Sequence, residues 1–202
     1  MESETLYHIA LIKTNGHGIE DFDIQGTYTD FTKAKAAARD ALSEAGYCTE
    51  SFPVLEIRND REDWIYGADT FVHAETAGGT ALTVAIKPTL NHQKLKGDRD
   101  TCRICGNLFY VLQQTVSYDI DSSGNTADMH VDCTCTKYAK AKESALSCLT
   151  DRTINMDDFH SLIQYPASEE DAYSNNPILY AVGANGRHYL VSVLGKRQWL
   201  QI

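Results

Sequence analysis

The sequence contains no stretch approaching the length of a membrane-spanning helix, and it does not open as a secretory signal does. Met1-Glu2-Ser3-Glu4-Thr5 is acidic and leads directly into an alternating strand pattern, whereas a signal needs a basic start and an apolar stretch. Basic charge is scarce: 18 Lys and Arg stand against 28 Asp and Glu, a formal charge of −10. That balance argues against general binding to nucleic acid or to an anionic membrane, both of which want a basic surface. There is no glycine-rich phosphate loop, no GxSxG and no HExxH, which removes the commonest nucleotide, hydrolase and metalloprotease signatures. Low-complexity sequence is missing too. The chain therefore reads as an ordered cytoplasmic protein, with the nucleus as the other compartment open to it. In such reducing surroundings its six cysteines serve a metal or stay free, rather than form disulfides.

What the sequence does contain is a second copy of itself. Displaced by 107 positions, Asp21 to Pro88 lies without a gap on Asp128 to Gly195. The patch from Phe31 to Ala38 lands on Tyr138 to Ala145, Leu42 on Leu149, Leu55 on Leu162, Tyr66 on Tyr173 and Val84 on Val191. One constant offset through helix, strands and turns implies an internal duplication of one supersecondary unit. With 43% hydrophobic and 23% charged residues, each half is long enough for its own core. The expected limits are 1–90 for the first repeat, 91–107 for a linker and 108–202 for the second.

Periodicity gives each repeat a β-β-α-β-β-β order. In the first, Leu6–Lys13 and Asp21–Tyr28 alternate as a hairpin, and Thr29 offers an N-cap to a helix that Gly46 ends. Phe52–Arg58, Thr70–Thr76 and Ala81–Lys87 then read as strands, the last two joined by a glycine turn. The second repeat has a longer hairpin loop around Ser122, a helix over Lys137–Leu149 and an Asn185-Gly186 turn. Gln198–Ile202 is a candidate edge strand. The expected fold class is α+β, two tandem copies with mainly antiparallel sheets and one helix each.

Four cysteines form the strongest chemical pattern. Cys102-Arg103-Ile104-Cys105-Gly106 is a CxxCG knuckle, and Cys133-Thr134-Cys135 places two thiols on one side of a strand. A hairpin centred near Ser122 pairs residues 133–135 with residues near 108–110, just after the knuckle. Cys102, Cys105, Cys133 and Cys135 are thus the expected ligands of one tetrahedral zinc. Four thiolates close the shell, so the expected role is structural, a clamp on the linker. His130 is the competing ligand, but a separation of three along a regular strand puts it opposite Cys133.

Other residues carry weaker signals. The loop holding His17, Glu20 and Asp21 could present a base or bind a cation, although hairpin loops of this composition are common. Tyr66 and Tyr173 keep their hydroxyls at matched positions, which suggests that the hydroxyl is used. Lys94, Lys96 and Arg99 read as solvated linker charge, and Cys48 and Cys148 as small buried side chains. Asp60, Glu62 and Asp63, echoed by Glu169, Glu170 and Asp171, read as a turn. The functional expectation is an intracellular, zinc-stabilised binding or adaptor protein that takes a protein partner or small molecule in a groove between the repeats. The alternative is a small enzyme with its active site in that groove.

Overall fold

Alternating β-formers from Thr5 to Asn15 build β1, and the chain returns antiparallel to it as β2, Gly18–Tyr28. This is a computed structural model, and it describes residues 3–15, 18–59, 64–117, 126–149, 159–174, 176–184 and 186–198. Helix α1, Phe31–Glu44, follows at once. Its N-cap is Asp30 rather than Thr29: Asp30 is extended at φ −128° and its Oδ1 accepts the Lys33 N–H at 2.8 Å. Thr29 is used elsewhere, as described below. Ala34, Ala38, Ala41 and Leu42 share the buried stripe of α1, and their small side chains let the helix lie close against the sheet. Gly46, at φ +88°, leaves the helix through a backbone conformation that glycine tolerates best.

Three more strands complete the first unit: β3 (Val54–Ile57), β4 (Thr70–Glu75) and β5 (Ala81–Leu90). All pair antiparallel in the order β2-β1-β5-β4-β3, so the strand made last lies at the centre of the sheet, beside the strand made first. The helix covers one face, where Ile9, Leu11, Tyr28, Phe71, Val72, Leu82, Val84 and Ile86 form the core. This unit is continuous through Ile104, and the second runs from Cys105 to the end.

The second unit has the same order of elements. It comprises β6 (Gly106–Ser117), β7 (Thr126–Cys135), α2 (Tyr138–Ser147), β8 (Phe159–Gln164), β9 (Pro177–Gly183) and β10 (His188–Gln198). Its sheet order is β7-β6-β10-β9-β8, the counterpart of the first. Ala141 and Ala145 take the places of Ala34 and Ala38 beneath the helix. Asn185 and residues 199–202, in the expected turn and edge strand, lie outside the described residues, as does the Ser122 loop.

The agreement extends to irregularities. In the first sheet Ile9 pairs with Gly26 but Ala10 with Ile24, leaving Gln25 as an extra bulge residue. In the second, Val111 pairs with Cys133 but Leu112 with Val131, leaving Asp132. Gln25 and Asp132 are matched by the 107-residue offset. The same holds at Phe71 and Ile178: Thr70 pairs with Ala85 and then Val72 with Val84, while Pro177 pairs with Ser192 and then Leu179 with Val191. The bulge at Asp132 has a consequence for the histidine upstream. By register His130 shares a face with Val111 and Cys133, not the opposite face that a regular strand dictates, because the inserted residue reverses the alternation.

Candidate functional site

Pairing of β6 with β7 sets Cys133 opposite Val111 and Cys135 opposite Phe109, within a residue of the register read from the sequence. Both thiols face α2. Cys135 belongs to the core beneath that helix, and Cys133 packs at its margin, partly open to solvent. They lie within interaction range of each other and of the Ser144 hydroxyl on α2. The contact with Cys135, followed by burial, raises the Cys133 thiol far above its ordinary range. The same contact, aided by the Lys140 charge and Ser144, lowers Cys135.

The CxxC cysteines are placed differently. Cys102, at φ +57°, is fixed within the first unit: its N–H donates to Asp98 O, and its carbonyl accepts the Thr29 N–H at 2.9 Å and the Thr29 hydroxyl at 3.3 Å. The Ile104 N–H donates to Thr27 O and Arg103 bridges to Tyr28, so residues 103–104 add a short extension to the β2 edge. Cys105 begins the second unit and is exposed. Among the described residues, no three His, Cys, Asp or Glu side chains gather where they could hold a metal ion. The expected four-thiolate zinc site is thus not shown, while within the second unit Cys133 and Cys135 share one side of β7.

The segment after β5 is the better-built site. Asn91 is buried and ties the loop to the N-terminus: its side-chain amide donates to Ser3 O at 3.0 Å and to Leu95 O at 2.9 Å. Its Oδ1 accepts the Leu95 N–H, and its backbone N–H donates to Glu4 O. Gly97 then passes so close to Cys102 that a Cβ would stand 2.6 Å from the Cys102 carbonyl carbon and 2.7 Å from Thr29 Oγ1. Asp98 folds the next turn, its Oδ1 accepting the N–H groups of Asp100 and Thr101 and the Thr101 hydroxyl. These bonds, led by those from Thr101, hold its carboxyl below the usual range. Arg103 closes the loop by donating from Nη2 to Gln25 O at 2.8 Å.

The resulting frame surrounds a concavity of about 710 Å³ lined by Ser3, Thr29, Lys96, Gly97, Arg99 and Cys102, among others. Two cationic residues, the Asp98 carboxylate, two hydroxyl-bearing residues and a closely approached glycine backbone thus share one opening. The sequence showed the basic residues but not the frame, because the Asn91 and Asp98 bonds that hold it have no short-range signature stronger than an ordinary turn.

The remaining expected residues are scattered. His17 and the Glu20 side chain lie outside the described residues. Asp21 lines a smaller concavity of about 220 Å³ with Lys13, Asp23 and Tyr47, and its Oδ1 accepts the Phe22 N–H. Tyr66 donates to Glu56 Oε1 at 2.9 Å and stacks on His73, with ring centroids 4.0 Å apart. His73 in turn contacts Glu75 at 3.2 Å. Tyr173 instead rests its ring on Gly195 and near Phe109, so the two matched tyrosines occupy unlike settings. Asp171 accepts the Ser168 N–H and hydroxyl and holds a turn, whereas Asp60, Glu62 and Asp63 are outside the described residues. Cys148 is buried, but Cys48 is exposed.

A buried histidine, His8, lies in the first half of β1. It is fully buried, with Nδ1 3.0 Å from Thr27 Oγ1 and Nε2 2.7 Å from Thr89 Oγ1. Burial drives its pKa down to about 3. A neutral imidazole donates through one nitrogen and accepts through the other, so one ring joins β2, β1 and β5. This is a structural role.

None of the described helices is long and apolar enough to cross a membrane. No family model matches the sequence, no curated protein matches it, and no solved structure matches the chain.

Proposed function

We propose that this chain is a binding protein made by duplication of one ββαβββ unit, and that its first unit takes a small anionic ligand at the loop over residues 91–102. The duplication is supported by the constant sequence offset and by bulges at matched positions in both sheets. A bulge changes which residues face the core, so its position is hard to move once a core has formed around it.

The observation that carries the ligand reading is the concavity edged by Lys96 and Arg99. On a chain of formal charge −10, a local pair of cations beside hydroxyls and a close backbone is a selective environment for carboxylate or phosphate groups. Asp98 also lines the concavity and keeps its negative charge, but its Oδ1 is turned onto the Thr101 and Asp100 donors, and two cations stand against this one carboxylate. The Asn91 bonds and the tight Gly97 passage fix the frame before a ligand arrives, which lowers the ordering cost of binding.

Titration with inorganic phosphate and with citrate, followed by amide chemical shifts of residues 95–102, tests this. Saturable shifts are expected, and the Lys96→Glu/Arg99→Glu variant should bind at least about tenfold more weakly, a change of about 1.4 kcal/mol. The reading fails if shifts do not saturate, or if the charge-reversed protein, still folded, binds equally well.

A further inference from the structure

In the second unit, the places of Gly26 and Tyr28 are taken by Cys133 and Cys135. In the first unit the Tyr28 ring lies across Gly26, and a Cβ on Gly26 would meet its Cε2 at 2.9 Å. Tyr28 is buried there, in the core beneath α1. The fold thus fills this place with an aromatic ring in one unit and with two sulfurs in the other. Packing alone does not require the thiols.

Two cysteines at i and i+2 on one strand have Cα atoms about 6.7 Å apart, with parallel Cβ directions. A disulfide needs its Cβ atoms about 3.5–4.5 Å apart, so direct S–S bonding would distort β7. An ion inserted between the sulfurs suits the longer span. Soft thiolates select soft d10 cations, and a monovalent one is satisfied by two ligands on a line, so no third ligand is needed. Ser144 is placed to donate its hydroxyl to a bound sulfur, and Lys140 supplies positive charge to Cys135. Cys133, only partly buried, gives the way in.

We infer that Cys133 and Cys135 form a two-thiolate site for a soft monovalent metal ion of the cuprous class. On binding, both S–H bonds break, two protons leave to solvent and two metal–sulfur bonds form. No electron is transferred. The bis-thiolate complex carries one net negative charge, set against the Lys140 ammonium. The site lies wholly within the second unit and is independent of the anion-binding reading.

The test is anaerobic titration of the full chain with cuprous ion held by a competing chromogenic chelator. One ion per chain should be withdrawn from the chelator. A Cys102→Ser/Cys105→Ser protein should do the same, and Ser144→Ala should hold the ion roughly tenfold more weakly. The Cys133→Gly/Cys135→Tyr protein, which copies the residues of the first unit, should keep the far-ultraviolet dichroism of the parent and withdraw none. No uptake by the parent would overturn the inference. So would uptake that survives the Gly/Tyr exchange, or uptake that needs Cys102 and Cys105 and therefore a four-thiolate shell.

Discussion

Between pH 7.5 and pH 5 the protein should lose about 2 kcal/mol of folding stability, with His8 as the source. The native imidazole, buried between Thr27 and Thr89, has its pKa depressed to about 3 from 6.5. Below 6.5 the unfolded chain takes up a proton that the native state refuses, so falling pH favours unfolding. Stability is complete above the unfolded value and declines by about 1.4 kcal/mol per pH unit as pH falls towards 3. Asp98 and Asp171 have depressed carboxyls, and their contributions are lost only as pH falls below the ordinary aspartate value of 3.8. The interval from pH 6.5 to 5 thus separates His8 from these carboxylates. Urea unfolding across this range checks it, with His8→Gln beside it. That variant should be less stable at neutral pH yet lose most of the pH slope. An equal slope in both proteins would remove His8 as the cause.

Gly97→Ala should cost about 3 kcal/mol, near the top of the usual range for overpacking. The added methyl would meet the Cys102 backbone and Thr29 Oγ1, and neither can turn aside as a flexible side-chain end can. Thr29 is itself held by two hydrogen bonds to the Cys102 carbonyl, so relief requires breaking the contact between loop and sheet. Chemical denaturation gives the cost, and phosphate titration of the folded fraction reads the frame. Binding should be lost even where the protein remains folded, because the Lys96 and Arg99 backbones would no longer be held in place. A change under about 0.5 kcal/mol, the ordinary range for a surface substitution, would show that the loop adapts freely.

The pairing of Cys133 and Cys135 with residues 109 and 111 was legible because hairpin register follows from alternation and loop position. So were the order of elements and the helix stripe Ala34, Ala38 and Leu42. The face of His130 was not, since it depends on one inserted residue at Asp132 that leaves no mark on composition. The Asp30 cap was missed for a similar reason: Thr29 and Asp30 are both good caps, and only the bond from Thr29 to Cys102, 73 positions away, decides between them. Local pattern fixes local structure. The candidate anion site depends instead on contacts such as Asn91 with Ser3, which no window of sequence contains.

The interior position of β1, between β2 and β5, also sets a timetable. Its second partner, β5, is not complete until Leu90, and the bond from His8 to Thr89 spans 81 positions. At roughly 5–20 residues per second, a ribosome leaves the first hairpin waiting several seconds for the strand that finishes its sheet. During that wait Ile9 and Leu11 have only β2 to lie against along the sheet, and Leu6 lacks its partner Thr89. Long-range closure of this kind is slow in its own right, because the loop entropy is spent before the contacts form. The nascent hairpin, rather than the finished protein, is thus the species most in need of a chaperone.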